Sequence, residues 1–295
     1  MLDLLIGVFL STLTGVFYKK AIHSGCRHLA IISAERAVVV LGVLGLSLFC
    51  DGFAFDPALL SISVLAGTAV VVSRICLMRS LAIGDLGLSW TIWNLSVSVP
   101  VLAAMFLWWD LPSAAQAAGL LLVPAGILLA GNPYREADPD SVARPKRRFG
   151  WTYSRQQRSW LCLMVLAFLC EGVFATSFLI LKNWELSDSR FTYMILYNSI
   201  ALMLTTGVMA AKGYVPTGRE WGAGTAAGLC VISSAYFWLR ALFDVQSVIF
   251  FPICASVAIV FMNVLARVTW HEKTTWTQNV GVVAAILAIL LLTSH

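Results

Sequence analysis

The strongest constraint on this chain is the length of its apolar runs. Crossing the hydrocarbon core of a bilayer takes about 20 apolar residues in a helix. Such stretches recur ten times, over 2–18, 29–50, 57–78, 86–107, 112–131, 159–181, 191–211, 220–241, 247–268 and 275–293. Turn formers and charges punctuate them, at Asp51-Gly52, Asp56-Pro57, Gly84-Asp85, Asp110-Leu111-Pro112, Gly131-Asn132-Pro133 and Lys212-Gly213. A water-soluble fold has nowhere to hide so much apolar surface: 59% of the 295 residues are hydrophobic and 12% charged, with a mean hydropathy of +0.84, whereas soluble domains carry roughly 25% charged residues. The runs are also too long for barrel strands of about 9 to 11 residues. Helices, which close their backbone hydrogen bonds within one segment, are the remaining spanning element. The expectation is an all-α membrane protein with ten transmembrane helices. Its first apolar run, Leu4 to Phe17, is followed by Lys19 and Lys20 and by no small-residue cleavage site, so it reads as a span and not as a signal peptide.

The one long polar stretch, 132–158, falls near the middle of the chain and suggests a division into a five-helix unit (1–132), a basic linker (133–158) and a second five-helix unit (159–295). The two units share residues in order. Gly15-Val16-Phe17 matches Gly172-Val173-Phe174, and Arg79-x-Leu81 and Trp109 match Arg240-x-Leu242 and Trp270 at an offset of 161. One residue later, Asp110, Gln116 and Gly119 match Glu272, Gln278 and Gly281. Leu and Val would coincide by composition alone; polar residues in register indicate duplication. With five helices per copy the second copy must be inverted, an arrangement that secondary transporters use around a midplane site.

The net charge of +5 does not point to nucleic acid, because seven of the twenty Lys and Arg lie in the linker between Arg135 and Arg158, a placement that sets topology or meets anionic lipid. Sixteen of the twenty fall on odd-numbered loops and three on even ones, with Arg36 inside helix 2, which places the linker in the cytoplasm and both termini outside. The seven cysteines include no C-x-x-C pair, and the four histidines sit at loops or ends, so neither a metal centre nor any other cofactor is expected.

The stretch from Asn94 to Gly131, with Pro100, Asp110, Gln116 and Gly119, resembles the EamA-type repeat of the drug/metabolite transporter superfamily, and Glu272, Gln278 and Gly281 repeat most of that pattern. The resemblance covers essentially the whole chain. It implies a ten-helix transporter with a central cavity lined by the third, fourth, eighth and ninth helices. It also implies a small-metabolite substrate drawn from a range that includes amino acids, sugars and amines. Cytoplasmic termini are usual in that family, and the charge bias here points the other way.

Ionisable groups within spans cost about 2.5 to 3.5 kcal/mol each on insertion scales and need a partner or a purpose. Glu171 stands mid-block in the sixth run; it reads either as a proton-coupling or cation-binding carboxylate or as a carboxyl hydrogen-bonded to a neighbouring helix. Glu35 and Arg36 are adjacent in the second helix, about 100° apart around its axis, and so are expected to face different partners, with Arg74 one of them. Arg74 is a candidate contact for an anionic substrate group. Trp90, Trp93 and Asn94 share a helix face suited to a cationic or amphipathic metabolite; Asn198 and Tyr236 complete the candidates, with Tyr197 and Asn263 beside them. Each also has a bland reading, as a structural ion pair, an interface-belt aromatic or a helix-end anchor. No H-E-x-x-H, G-x-S-x-G or phosphate-binding loop is present, so no catalytic residue is assigned and an enzyme is not expected. The reading is a secondary transporter of a small metabolite in a bacterial plasma membrane, with protons as a candidate coupling partner and no nucleic acid. A flippase of a lipid-linked substrate on the same fold and a membrane-embedded enzyme are the alternatives.

Overall fold

A computed structural model describes residues 2–47, 56–109, 112–130, 155–186, 189–244 and 247–292, with the backbone alone for 238–244 and 247–253. Of the linker expected over 133–158, residues 133–154 lie outside the described residues, as do Asp110 and the side chain of Arg240, while 155–158 form the first turn of the helix that begins at Arg155. The described chain is all helical: α1 Leu2–His23, α2 His28–Ser47, α3 Pro57–Leu81, α4 Leu86–Asn94, α5 Ser98–Trp108, α6 Ala114–Ala130, α7 Arg155–Asn183, α8 Arg190–Ala211, α9 Gly218–Asp244, α10 Ser247–Trp270 and α11 Trp276–Leu292. The apolar blocks and the helices coincide, with α4 and α5 sharing the fourth block. Among the described residues, six helical segments are long and apolar enough to cross a membrane: α1, α2, α3, the α4–α5 unit, α7 and α8.

Local chemistry sets the helix ends. Asp56 accepts from the Ala58 amide at 2.7 Å and precedes Pro57, a side-chain cap followed by the residue best tolerated at the first helical position. The repeated glutamines have the same structural use. Gln116 accepts from the Ser113 amide at 2.9 Å while Ser113 Oγ accepts back from the Gln116 amide at 3.3 Å. Gln278 and Thr275 make the same pair at 2.8 and 3.3 Å. Both are capping boxes opening the last helix of a unit. Between α4 and α5 the residues Leu95–Val97 tighten into a 3-10 turn. Pro100, three residues beyond Val97, has no amide to give the Ser96 carbonyl, and loss of that bond accounts for the break. The first helix runs five residues past the expected 18, because Lys19 is folded inward instead of marking the water boundary.

Packing is paired. α1 lies on α9 as α3 lies on α7; α2 lies on α9 as α3 lies on α8; α1 lies on α10 as α4 and α5 lie on α7. The remaining large interfaces join α2 to α8, α4 to α10 and α6 to α11. Small residues allow the close approaches. A Cβ on Gly281 would stand 2.4 Å from the Ala130 amide nitrogen, and one on Gly119 would stand 2.9 Å from the Ala288 carbonyl and the Leu292 nitrogen. Without a hydrophobic force between helices in lipid, such backbone contact is what holds α6 on α11. Large apolar side chains face outward all round, Leu41, Phe106, Leu121 and Met203 among them at 70 to 77% exposed. In water this would be an aggregation surface; in a bilayer it is the lipid face.

Candidate functional site

Charged side chains from α2, α3 and α7 meet in the interior. Glu35 and Arg36 on α2 are 0 and 3% exposed and Glu171 on α7 is 9% exposed. Tyr18 from α1 donates to Glu35 Oε2. Arg36 donates through Nη1 to Asn198 Oδ1 of α8 at 2.8 Å, and Asn198 spends its amide on the Met194 carbonyl at 2.8 Å, so the asparagine serves to hold the guanidinium. Contrary to the expectation that neighbours would face apart, Arg36 Nη2 comes to 3.0 Å from Glu35 Oε1. The α2–α8 interface confines both side chains, and the approach lacks hydrogen-bond alignment, as their divergent departure from the helix dictates.

Arg74 of α3 stacks its guanidinium 4.7 Å from the Trp93 ring and 5.9 Å from that of Tyr18. Its electrostatic partners include the Glu171 and Glu35 carboxylates and the Tyr18 and Tyr197 hydroxyls. Ser73, one residue earlier, donates to Glu171 Oε2 at 2.8 Å and accepts from Trp93 Nε1 at 3.1 Å, which links the tryptophan to the carboxylate through one hydroxyl. Trp90 packs on Trp93 with ring centroids 4.9 Å apart. The site therefore has two carboxylates and two guanidinium groups and is charge-balanced, the condition for keeping such groups in a low-dielectric interior. Several of its polar atoms have no hydrogen-bond partner in the protein: Glu35 Oε1, Arg36 Nε and Nη2, Arg74 Nε and Trp90 Nε1. Atoms of this kind, buried and aimed at one another's neighbourhood, are suited to a polar solute carrying both donors and acceptors.

Of the candidates, Glu35, Arg36, Arg74, Trp90, Trp93, Glu171 and Asn198 come together. Asn94 does not contribute a free amide, since its Nδ2 is spent on the Trp90 carbonyl at 2.8 Å, and Tyr236 on α9 is 45% exposed with its ring on Phe237. Sequence reasoning missed Tyr18 and Ser73. Tyr18 stood at the very end of the expected first span, and a serine beside an arginine carries no signal of its own. Asn263 lies apart from the charges, donating to Thr91 at 3.1 Å.

Two further ion pairs join the units at one end of the bundle. Lys19 of α1 pairs with Glu272, whose carboxylate also accepts from the Leu86 and Gly87 amides at 2.7 and 3.1 Å and so caps α4. Arg27 binds Glu220 through Nε at 2.9 Å and Nη2 at 2.9 Å. Glu220 belongs to the capping turn at the very start of α9, at the edge of the apolar run 220–241, with Thr217 as its reciprocal partner. The Arg27 guanidinium, helped by the Thr217 and Arg27 amides, holds this carboxyl down at about 2. A depressed carboxyl stabilises the fold above its unfolded value, near 4.5, and that contribution is lost as pH falls from there toward 2. The thermal midpoint of Glu220→Gln is expected to lie below wild type at pH 7, the gap closing steadily below pH 4.5; a gap independent of pH would contradict the pairing.

Taken together, an all-helical bundle, six helices of spanning length, an apolar outer face and a charge-balanced polar interior define a multi-span membrane protein. Neither a family model nor a curated protein matches the chain. Solved structures do, 22 chains in all. One of them, a crystal structure described only as that of a protein, superposes with a TM-score of 0.58 at 11% identity over 97% of each chain. The whole helical arrangement is thus similar to an experimentally determined fold.

Proposed function

We propose that this chain is a secondary transporter of a small polar metabolite, built as ten spans in two inverted five-helix repeats of the drug/metabolite-transporter type and working by alternating access. The observation that carries the reading is the buried, charge-balanced cluster with uncommitted polar atoms, assembled from α2 and α3 of the first unit and α7 and α8 of the second. The paired packing supports the inverted repeat, since the largest interfaces joining the units have counterparts when the helices of α1–α6 are exchanged with those of α7–α11. Matched residues also have matched surroundings: Gly15 meets Trp90 and Met262, and Gly172 meets Val99. Helices that seat on each other through small residues can rock as units.

The pairs Lys19–Glu272 and Arg27–Glu220 close the end from which α2, α4, α7 and α9 start, the end assigned to the cytoplasm by its basic loops. Alternating access then consists of breaking these pairs and closing the opposite end. In a bacterial plasma membrane the proton gradient is the available energy source, and Glu171, within one hydroxyl of Trp93, is the proposed proton carrier.

Proton movement in proteoliposomes, with pools of amino acids, amines and sugars as substrates, tests this. Wild type is expected to couple one pool to proton flux. Glu171→Gln keeps the hydrogen bond with Ser73 and is expected to abolish that flux while leaving exchange of labelled substrate. Proton flux surviving in Glu171→Gln would remove the carboxylate from the coupling role, and failure of every pool to move would remove the transport reading.

A further inference from the structure

A cavity of about 640 Å³ lies at the same end of the bundle, between the start of α2, the last turns of α3 and the end of α8. It is separate from the charged cluster: Ser73 and Arg74 face the interior, while Val72, Ile75 and Arg79 of the same helix line the groove. Its walls are apolar, and Leu204 and Val208, at 39 and 42% exposed, open it sideways onto the lipid-facing surface.

Its charged groups, Arg27, Arg79 and Lys212, are all cationic, and Thr68 and Tyr214 add hydroxyls. Arg27 is already bound to Glu220 and the Val215 carbonyl. Arg79 and Lys212 are exposed at the groove and, among the described residues, have no carboxylate partner. His28 adds a buried Nε2 without a hydrogen-bond partner in the groove wall. An apolar slot leading from the bilayer to unpaired positive charge at the headgroup level has the chemistry of an anionic phospholipid. The charges also lie at the end where the basic loops gather, facing the leaflet that carries anionic lipid.

We infer that this groove seats an anionic phospholipid, its phosphate against Arg79, Lys212 and His28 and an acyl chain along Val72, Leu204 and Val208. The site does not depend on the transport reading. Each basic side chain near an anionic headgroup is worth a factor of about five in affinity, so removing two weakens binding about 30-fold.

The test is thermal unfolding of the full chain in detergent, titrated with phosphatidylglycerol or with phosphatidylcholine of the same acyl chains. Phosphatidylglycerol is expected to raise the midpoint of wild type at concentrations where phosphatidylcholine does not, and the half-effective concentration is expected to rise about 30-fold in Arg79→Gln/Lys212→Gln. Thr68→Trp, which fills the groove and leaves both charges in place, is expected to lose the effect as well, and covers the case in which the double variant does not fold. Equal effects of the two lipids, an unchanged response in either variant, or reproduction of the effect by inorganic phosphate alone would overturn the assignment.

Discussion

Replacing Arg36 by methionine is expected to lower the stability of the protein by about 3 to 5 kcal/mol, the cost of removing one partner from a buried ion pair. The guanidinium is the nearest cation to the Glu35 carboxylate, at 3.0 Å, and both side chains are almost wholly buried. Without it Glu35 keeps the Tyr18 hydroxyl and the more distant charge of Arg74, and Asn198 Oδ1 loses its 2.8 Å donor. The double substitution Glu35→Gln/Arg36→Met keeps an acceptor for Tyr18 and removes both charges, so most of the stability is expected to return. Transport is not expected to return with it, because the uncommitted atoms Glu35 Oε1 and Arg36 Nε and Nη2 are lost. Thermal unfolding and proteoliposome uptake on the three proteins separate the two roles. A single variant as stable as wild type would mean that the pair is solvated.

Leucine at Gly281 is expected to cost about 3 kcal/mol or more, the upper range of overpacking, because the groups it meets are backbone and cannot step aside. Already the first carbon of any side chain would lie 2.4 Å from the Ala130 nitrogen and 2.8 Å from the Leu129 carbonyl carbon. α6 and α11 would have to separate by more than that carbon alone, and Gly119 on the facing helix would lose its seat against Ala288 and Leu292. Leucine at Gly207, where an added Cβ meets nothing within 4 Å, is the control and is expected to leave the midpoint unchanged. The measurement is the fraction surviving size-exclusion chromatography after heating. Equal survival of the two variants would show that α6 and α11 do not meet through these glycines.

The residues that carried the family resemblance turn out to be residues of helix construction. Gln116 and Gln278 cap α6 and α11, Gly119 and Gly281 let those helices touch, and Glu272 caps α4. That explains how the matched residues were legible while a substrate was not: a capping box and a glycine contact depend on local spacing, which a sequence displays, and are indifferent to any solute. Glu35, Arg36, Arg74 and Glu171 were legible for a different reason, since a charge in an apolar run is conspicuous. Tyr18 and Ser73 were not, because a tyrosine near a span end and a serine within one are ordinary.

The amino-acid sequence alone determined the helical class and the position of each helix, because the length of an apolar run and its end caps are local properties set by the bilayer and by backbone hydrogen bonding. It also marked Glu35, Arg36 and Glu171 as charges inside apolar runs, but not the buried Lys19. Tertiary structure decided which charges meet: Arg36 with Asn198 across 162 positions, Ser73 with Glu171 across 98, and Lys19 with Glu272 across 253. Partner choice depends on how helices seat upon one another, through glycine contacts and side-chain volumes summed over many neighbours, and no single stretch of sequence contains that sum.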